Sequence, residues 1–379
     1  MTPTDSPLSP LGEMYPYSRH SEVLAARNAT LRLRAPDGKV YSFTDLTCAN
    51  GAVNFGHMNP AIDPFSSLTS DLVAGFYPSN AATYATWLSN KLKLSSHSVL
   101  YQVGASSAVS SAIAIAQRFR PGKILIIQGS FHGLAIDTPT AGSLDGRFLS
   151  IPAGSDFSNW DQVSCLLYEP IQAANGYVPL PLAWLRSLSQ SAQTAGVTVI
   201  ADEIQCGFYR FGFLSTARQE SLNPDIYLFG NSMTNGIFPT CVVIYPRACE
   251  DAIPAANDHA DQTFQTASLG LQAAEAVAAY IDSTDIAAKI AVIHGLLAQT
   301  AERLATNPAL FQFHLAGPTL SLGVRDGRAP EIIRKCEERG VLIFAGGAGQ
   351  RIRIAPPITI PDEQLSAALE IIEQAAGSL

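Results

Sequence analysis

The sequence predicts an α/β protein: a large, mostly parallel sheet with helices on both faces, followed by a smaller C-terminal α+β unit. Two observations carry this. Five apolar runs of strand length, SVLYQV (98–103), GKILIIQG (122–129), SCLLYEP (164–170), VTVIADEI (197–204) and DIYLFG (225–230), are separated by helix-like stretches such as 106–119 and 182–196. Strands that are apolar throughout are buried on both faces, which a parallel sheet covered by helices requires. From residue 268 the texture changes to Ala-rich helical sequence (268–305), then short strand candidates TLSLGV, VLIFAG and RIRIAP around the helix PEIIRKCEERG, and a closing helix from Pro361.

Ahead of the first run, a Pro/Ser-rich leader of about 20 residues precedes TLRLRAPDGKVYSFTD, where alternating apolar residues flank the turn PDGK and predict a hairpin. At 379 residues, 47% hydrophobic and 15% charged, the chain can bury a large core. Its net charge of −8 excludes a generally basic nucleic-acid binder. The first twenty residues lack an apolar signal-like core and no run is long enough to span a bilayer, so the expectation is a soluble, cytoplasmic protein without membrane partners. Six scattered cysteines without a C-x-x-C pair predict reduced, buried thiols, neither disulfides nor a metal site. The cations divide unevenly, 18 Arg to 6 Lys, with no lysine from 124 to 288.

In an open α/β sheet, ligands bind beyond the carboxyl ends of the strands. After the 98–103 run comes Gly104-Ala105-Ser106-Ser107, leading into a helix whose N–H groups suit either an ordinary cap or a phosphate. With one glycine it is no dinucleotide fingerprint. Ser130-Phe131-His132-Gly133 follows the next run. Asp202 and Glu203 end the 197–204 run, where a carboxylate either caps the next turn or holds a protonated ring nitrogen, remaining ionised only if paired with a positive partner. Gly230-Asn231-Ser232 ends the last.

Taken in order, FTDLTCANGAVNFGHMNP, VGASSAVSSAIAIAQRF, SFHG, EPIQAANGYVP, ADEIQCGFYRFG, PDIYLFGNSMTNGIFP, DQTFQTASLGLQAA and RIRIAPPITI resemble the class III (ornithine and ω-amino-acid type) aminotransferases, fold type I pyridoxal-phosphate enzymes, from about residue 30 to 375. The resemblance implies a homodimer with interface active sites. Residues 1–50 would be an N-terminal arm and hairpin belonging to the small domain, 51–265 a large cofactor-binding domain, and 266–379 a linking helix and small C-terminal domain. It also implies roles. Ala105 and Ser106 would cradle the cofactor phosphate, Phe131 would stack on the pyridine ring with His132 beside it, and Asp202 would pair with the ring nitrogen. Gln205 would bond the ring 3-oxygen, and Thr263 would reach the phosphate of the partner's cofactor. Arg353 would clamp a substrate carboxylate, although an arginine in a strand, taken alone, reads as a surface residue. Loops at 14–20, 49–55 and 345–350 would shape specificity, with 346–349 read as a turn.

The family's lysine, covalent anchor and general base together, belongs at position 231, and here it is asparagine. Two explanations stand: a replacement made to freeze a substrate–cofactor adduct, or a relative that has lost transamination and holds the cofactor non-covalently. The family's arginine-gating glutamate is matched by Ala174, and its glutamate in the phosphate turn by Ser107. The implied activity is amino-group transfer between an amino acid or amine and an oxo acid. An aminomutase or racemase on the same scaffold, and a non-catalytic cofactor-binding protein, are the alternatives.

Overall fold

The hairpin expected around PDGK forms, in a structure that is a computed structural model and describes residues 22–35, 37–66, 68, 78–133, 146–252 and 263–378. The Pro/Ser-rich leader and the 14–20 loop lie outside the described residues. β1 (Glu22–Arg27), β2 (Thr30–Arg34) and β3 (Val40–Asp45) form an antiparallel meander. The sequence reading missed β1, whose largely solvent-facing residues leave only a weak apolar signal.

The central sheet is built from β4 (His97–Val103), β5 (Lys123–Ile127), β6 (Phe148–Ile151), β7 (Val163–Tyr168), β10 (Thr198–Asp202), β11 (Ile226–Phe229) and β12 (Thr240–Pro246). The two-residue β8 (Ile171–Gln172) and β9 (Val178–Pro179) pair separately between β7 and β10. The strand order is β4-β12-β11-β10-β7-β5-β6, with β5, β6, β7, β10 and β11 parallel and β12 antiparallel to both neighbours. Every residue of β7 and β11 is buried. Alternation then divides the side chains between two cores: Leu125, Ile127, Leu166 and Val199 pack on one face, Ile124, Ile126, Leu167 and Ile200 on the other. Helix Ala105–Phe119 covers the second face and helix Leu182–Thr194 the first.

Beyond helices Ser268–Ser283 and Ile286–Leu304, β13 (Leu310–Ala316), β14 (Thr319–Val324), β16 (Phe344–Gly346) and β17 (Arg351–Ile354) form an antiparallel sheet in the order β13-β14-β17-β16. Helices Ala329–Glu337 and Asp362–Gly377 pack on it around a core that includes Leu320, Ile332, Ile352 and Leu369. VLIFAG, read as one strand, divides at Ile343. β15 (Val341–Leu342) pairs in parallel with β3, and β16 pairs with β17, so one apolar run bridges two sheets. Five of the six cysteines are buried and all are free thiols. Among the described residues, no helix is long and apolar enough to cross a membrane.

One turn is unusual. Cys48, Ala49, Asn50 and Gly51 have successive φ values of 50°, 48°, 58° and 79°, a left-handed turn in which only glycine is free of a Cβ penalty. Ser232 Oγ donates to Gly51 O at 2.7 Å, and Cys48 Sγ donates to Ala355 O at 3.1 Å, so the turn is held from both sides. Ala49 is exposed and gains no packing in return. Ala49→Gly is expected to raise stability by about 1 kcal/mol, read as a rise of roughly 2 °C or less in Tm.

Candidate active site

The parallel strands deliver their ends to one edge. Asp202 closes β10, and its Oδ2 lies 2.8 Å from His132 Nδ1, both side chains buried. Asp202 Oδ1 also accepts from Ile204 N–H at 3.2 Å, so the carboxylate caps its turn and faces an imidazole at once. Phe131, next to His132, is 46% exposed, so protein packing covers only part of it. Gly133 has φ 97°, and a Cβ there would meet Ser106 Oγ at 2.5 Å; the glycine lets the 130–133 loop close on the start of helix Ala105–Phe119. That helix begins at Ala105 after Gly104, with no side-chain cap at its N-terminus.

Asn231 stands three residues beyond Leu228, which pairs with Asp202 in the β10–β11 ladder, so both occupy the same edge. Gly230 is extended, and a Cβ on it would lie 2.5 Å from Cys241 Sγ. Asn231 itself has φ 48°, the left-handed region that asparagine tolerates better than most side chains. Ser232 anchors the following turn to the 48–51 turn. Gln205 reaches the same turn, where a Cβ on Gly51 would be 2.6 Å from Gln205 Oε1.

Arg353, on β17, is buried, against the surface position expected of a strand arginine taken alone. Its guanidinium lies between the rings of Tyr177 and Phe344, 4.9 and 4.7 Å from their centroids. Nε donates to Ala345 O at 3.0 Å and NH1 to Ala173 O at 3.1 Å, and among the described residues no carboxylate pairs with it. Ala174 is exposed and its carbonyl accepts from Gly347 N–H at 3.0 Å, tying the 347–350 turn to this edge. Thr263 sits in an exposed turn before helix Ser268–Ser283.

Two buried glutamates flank Asp202. Glu169, just past β7, accepts from Phe131 N–H at 2.9 Å and from Ala173 N–H at 3.2 Å. Glu203 accepts from Ser215 Oγ and from Thr216 N–H. Burial pushes both carboxyls up to about 7. The native state therefore keeps protons that unfolded glutamates release above about 4.3, and its stability falls as pH rises from there to about 7, by up to about 3 kcal/mol per group. Urea midpoints measured at pH 5, 6 and 7 are expected to decline less steeply in Glu203→Gln than in the parent.

Sequence reasoning missed Glu169, although the end-of-strand rule that singled out Asp202 applies to it equally. It also missed the Tyr177–Phe344 sandwich, whose members stand 167 residues apart along the chain and share no local pattern.

The central sheet, with an aspartate–histidine pair, a helix start and a left-handed turn at its strand ends, shares the fold of the fold type I pyridoxal-phosphate enzymes. Solved structures with this fold include acetylornithine aminotransferase from Elizabethkingia anophelis (TM-score 0.79, 22% identity, 95% of this chain and 94% of that one). Another is ornithine aminotransferase from Toxoplasma gondii (TM-score 0.82, 20% identity, 95% and 90%). The family description "Aminotransferase class-III" matches residues 157–376, more than half of the chain, and the protein belongs to that family. Among curated relatives, acetylornithine aminotransferase of Listeria innocua is 24% identical over 94% of this chain and 95% of its own. Ornithine aminotransferase of Oceanobacillus iheyensis is 22% identical over 90% of each. Class-III aminotransferases are pyridoxal-phosphate-dependent amino-group transfer enzymes.

The residues present fit that group. Among the described residues His132 Nε2 and Gln205 Oε1 are buried without a hydrogen-bond partner, and Phe131, the neighbour of His132 in sequence, is 46% exposed, which leaves ring surface for an aromatic ligand.

Proposed function

We propose that this chain binds pyridoxal 5′-phosphate, or its amine form, without a covalent bond, and that it presents an amino-group transfer site inactivated at Asn231. The observation that carries the reading is the position of Asn231 at the strand-end edge, one strand from Asp202, in a chain with no lysine between 124 and 288. When bound, the cofactor supplies an electron sink for the pair released from a Cα–H bond.

The chain's own groups divide the remaining work. Asp202 would hold the proton on the ring nitrogen, with His132 keeping its carboxylate oriented. Phe131 would cover one face of the ring and keep water from it, while Ala105 and Ser106 would hold the phosphate through backbone N–H groups at the helix start. Gln205 would hydrogen-bond the ring 3-oxygen, its side-chain amide N–H donating. Arg353, stacked and without a carboxylate partner, would receive a substrate carboxylate. Asn231 offers an amide, neither nucleophile nor base, so the proton at the substrate Cα has no acceptor from this position.

The relatives named acetylornithine and ornithine aminotransferase support an amino acid of that kind as donor. Ala174 in place of a gating acid leaves Arg353 open to any carboxylate, which also favours α-amino acids. Thr263, exposed in its turn, suits a contact across a homodimer. Titration with pyridoxal or pyridoxamine phosphate, followed by tryptophan fluorescence, is expected to give one saturable site emptied by dialysis and no oxo acid from added amino acids. Absence of binding, or turnover by the unaltered chain, contradicts the proposal.

A further inference from the structure

We infer that Glu169 is a positioning residue through which the ring-covering residue Phe131 and the Arg353 clamp respond to each other. Its two carboxylate oxygens go to different segments, one to Phe131 N–H at 2.9 Å and one to Ala173 N–H at 3.2 Å. Ala173 is bound at both ends of its backbone, because its carbonyl accepts from Arg353 NH1 at 3.1 Å. A single buried side chain therefore joins the guanidinium to the backbone that carries the exposed phenyl ring. Phe131 is 46% exposed, so packing covers only part of the side chain, and the Phe131 N–H bond holds the backbone from which the ring projects.

A ligand carboxylate that draws on the Arg353 guanidinium shifts NH1 against Ala173, and Glu169 passes the shift to Phe131. The same link runs in reverse when a ring is stacked on Phe131, since coupling between two sites is reciprocal. The charges facing Glu169 are His132 and Asp202, with the Cys206 thiol beside it. A second tie holds the same two segments together: Gln172 Nε2 donates to Gln128 O at 2.8 Å and Ser130 Oγ at 3.1 Å. Loss of the Glu169 strap thus leaves the loops in place while removing the link from Ala173 to Phe131. The inference rests on the proposed placement of the cofactor ring at Phe131 and of a carboxylate at Arg353.

The test is the dissociation constant of pyridoxamine 5′-phosphate, measured with and without saturating succinate, in the parent chain and in Glu169→Gln. Succinate is expected to tighten binding about fivefold in the parent and less than twofold in the variant, whose amide can accept from only one of the two N–H groups. A purely structural role would weaken both constants and leave their ratio unchanged. Equal ratios in the two proteins, or no succinate effect in the parent, overturn the inference while leaving the proposed function standing. Failure of pyridoxamine phosphate to bind the parent at all overturns both. Hydrogen exchange on the parent covers the case of a misfolded variant: succinate alone is expected to slow exchange of the Phe131 amide, and an unchanged rate contradicts the coupling.

Discussion

Asn231→Lys is expected to create amino-group transfer activity, at least about 10³-fold above the unaltered chain, when loaded with pyridoxal phosphate and supplied with ornithine, acetylornithine or alanine and 2-oxoglutarate. A positioned general base alone supplies 10²–10⁴-fold, and a factor of 10³ corresponds to about 4 kcal/mol of barrier. The backbone is ready for the change. Gly230 is wedged against Cys241, and Ser232 ties the next residue to Gly51 O, so position 231 is held from both sides independently of its side chain. The nearest thiol does not compete as a nucleophile, since burial pushes Cys241 up to about 12. A lysine at φ 48° carries left-handed strain of about 1 kcal/mol, small against the catalytic gain. A lysine variant that folds and binds cofactor, yet yields no oxo acid from any of these donors, would count against the reading of position 231.

Asp202→Asn is expected to weaken pyridoxamine phosphate binding 10- to 100-fold and to lower stability by about 1–3 kcal/mol. Its neutral amide cannot hold a ring-nitrogen proton, and a charge-assisted hydrogen bond is worth about 1.5–3 kcal/mol. His132 is buried with Nδ1 committed to Asp202 Oδ2, so the substitution also replaces the carboxylate that holds a buried imidazole. Fluorescence titration measures the first effect and urea unfolding the second. Glu203→Gln is the matched control, because the Glu203 carboxylate turns away to Ser215 and Thr216. It is expected to alter the pH dependence of stability and leave affinity within about twofold. If both variants lose affinity equally, Asp202 has no special role at the ring.

What the sequence made legible follows from burial. Strands buried on both faces announce themselves as unbroken apolar runs, so β5, β7, β10 and β11 were readable with their connecting helices, whereas the edge strand β4 is only partly buried and was readable from its apolar residues alone. An apolar run carries no direction. The reversal of β12 (TCVVIYP) is set by its pairing with β4 and β11, and the short β6 (FLSI) offers too few residues to stand out. VLIFAG reads as one strand because nothing local marks the change of partners at Ile343. Asp202, His132, Phe131 and Asn231 stand out as candidates because each lies at or within a few residues of the end of a legible strand, while the roles proposed for them come from the family resemblance. Arg353 needed the family motif to be noticed, since its burial between Tyr177 and Phe344 is assembled entirely from distant parts of the chain. Glu169 was within reach of the strand-end rule, but its two backbone partners appear only when loops 130–133 and 169–176 are brought together.

Borohydride reduction in the presence of pyridoxal phosphate, read by intact mass, tests the missing amine at position 231 most directly. The unaltered chain is expected to keep its mass and release its cofactor on denaturation, whereas Asn231→Lys gains one pyridoxyl phosphate group mapped to residue 231. A stoichiometric pyridoxyl label on any of the six lysines of the unaltered chain would contradict it.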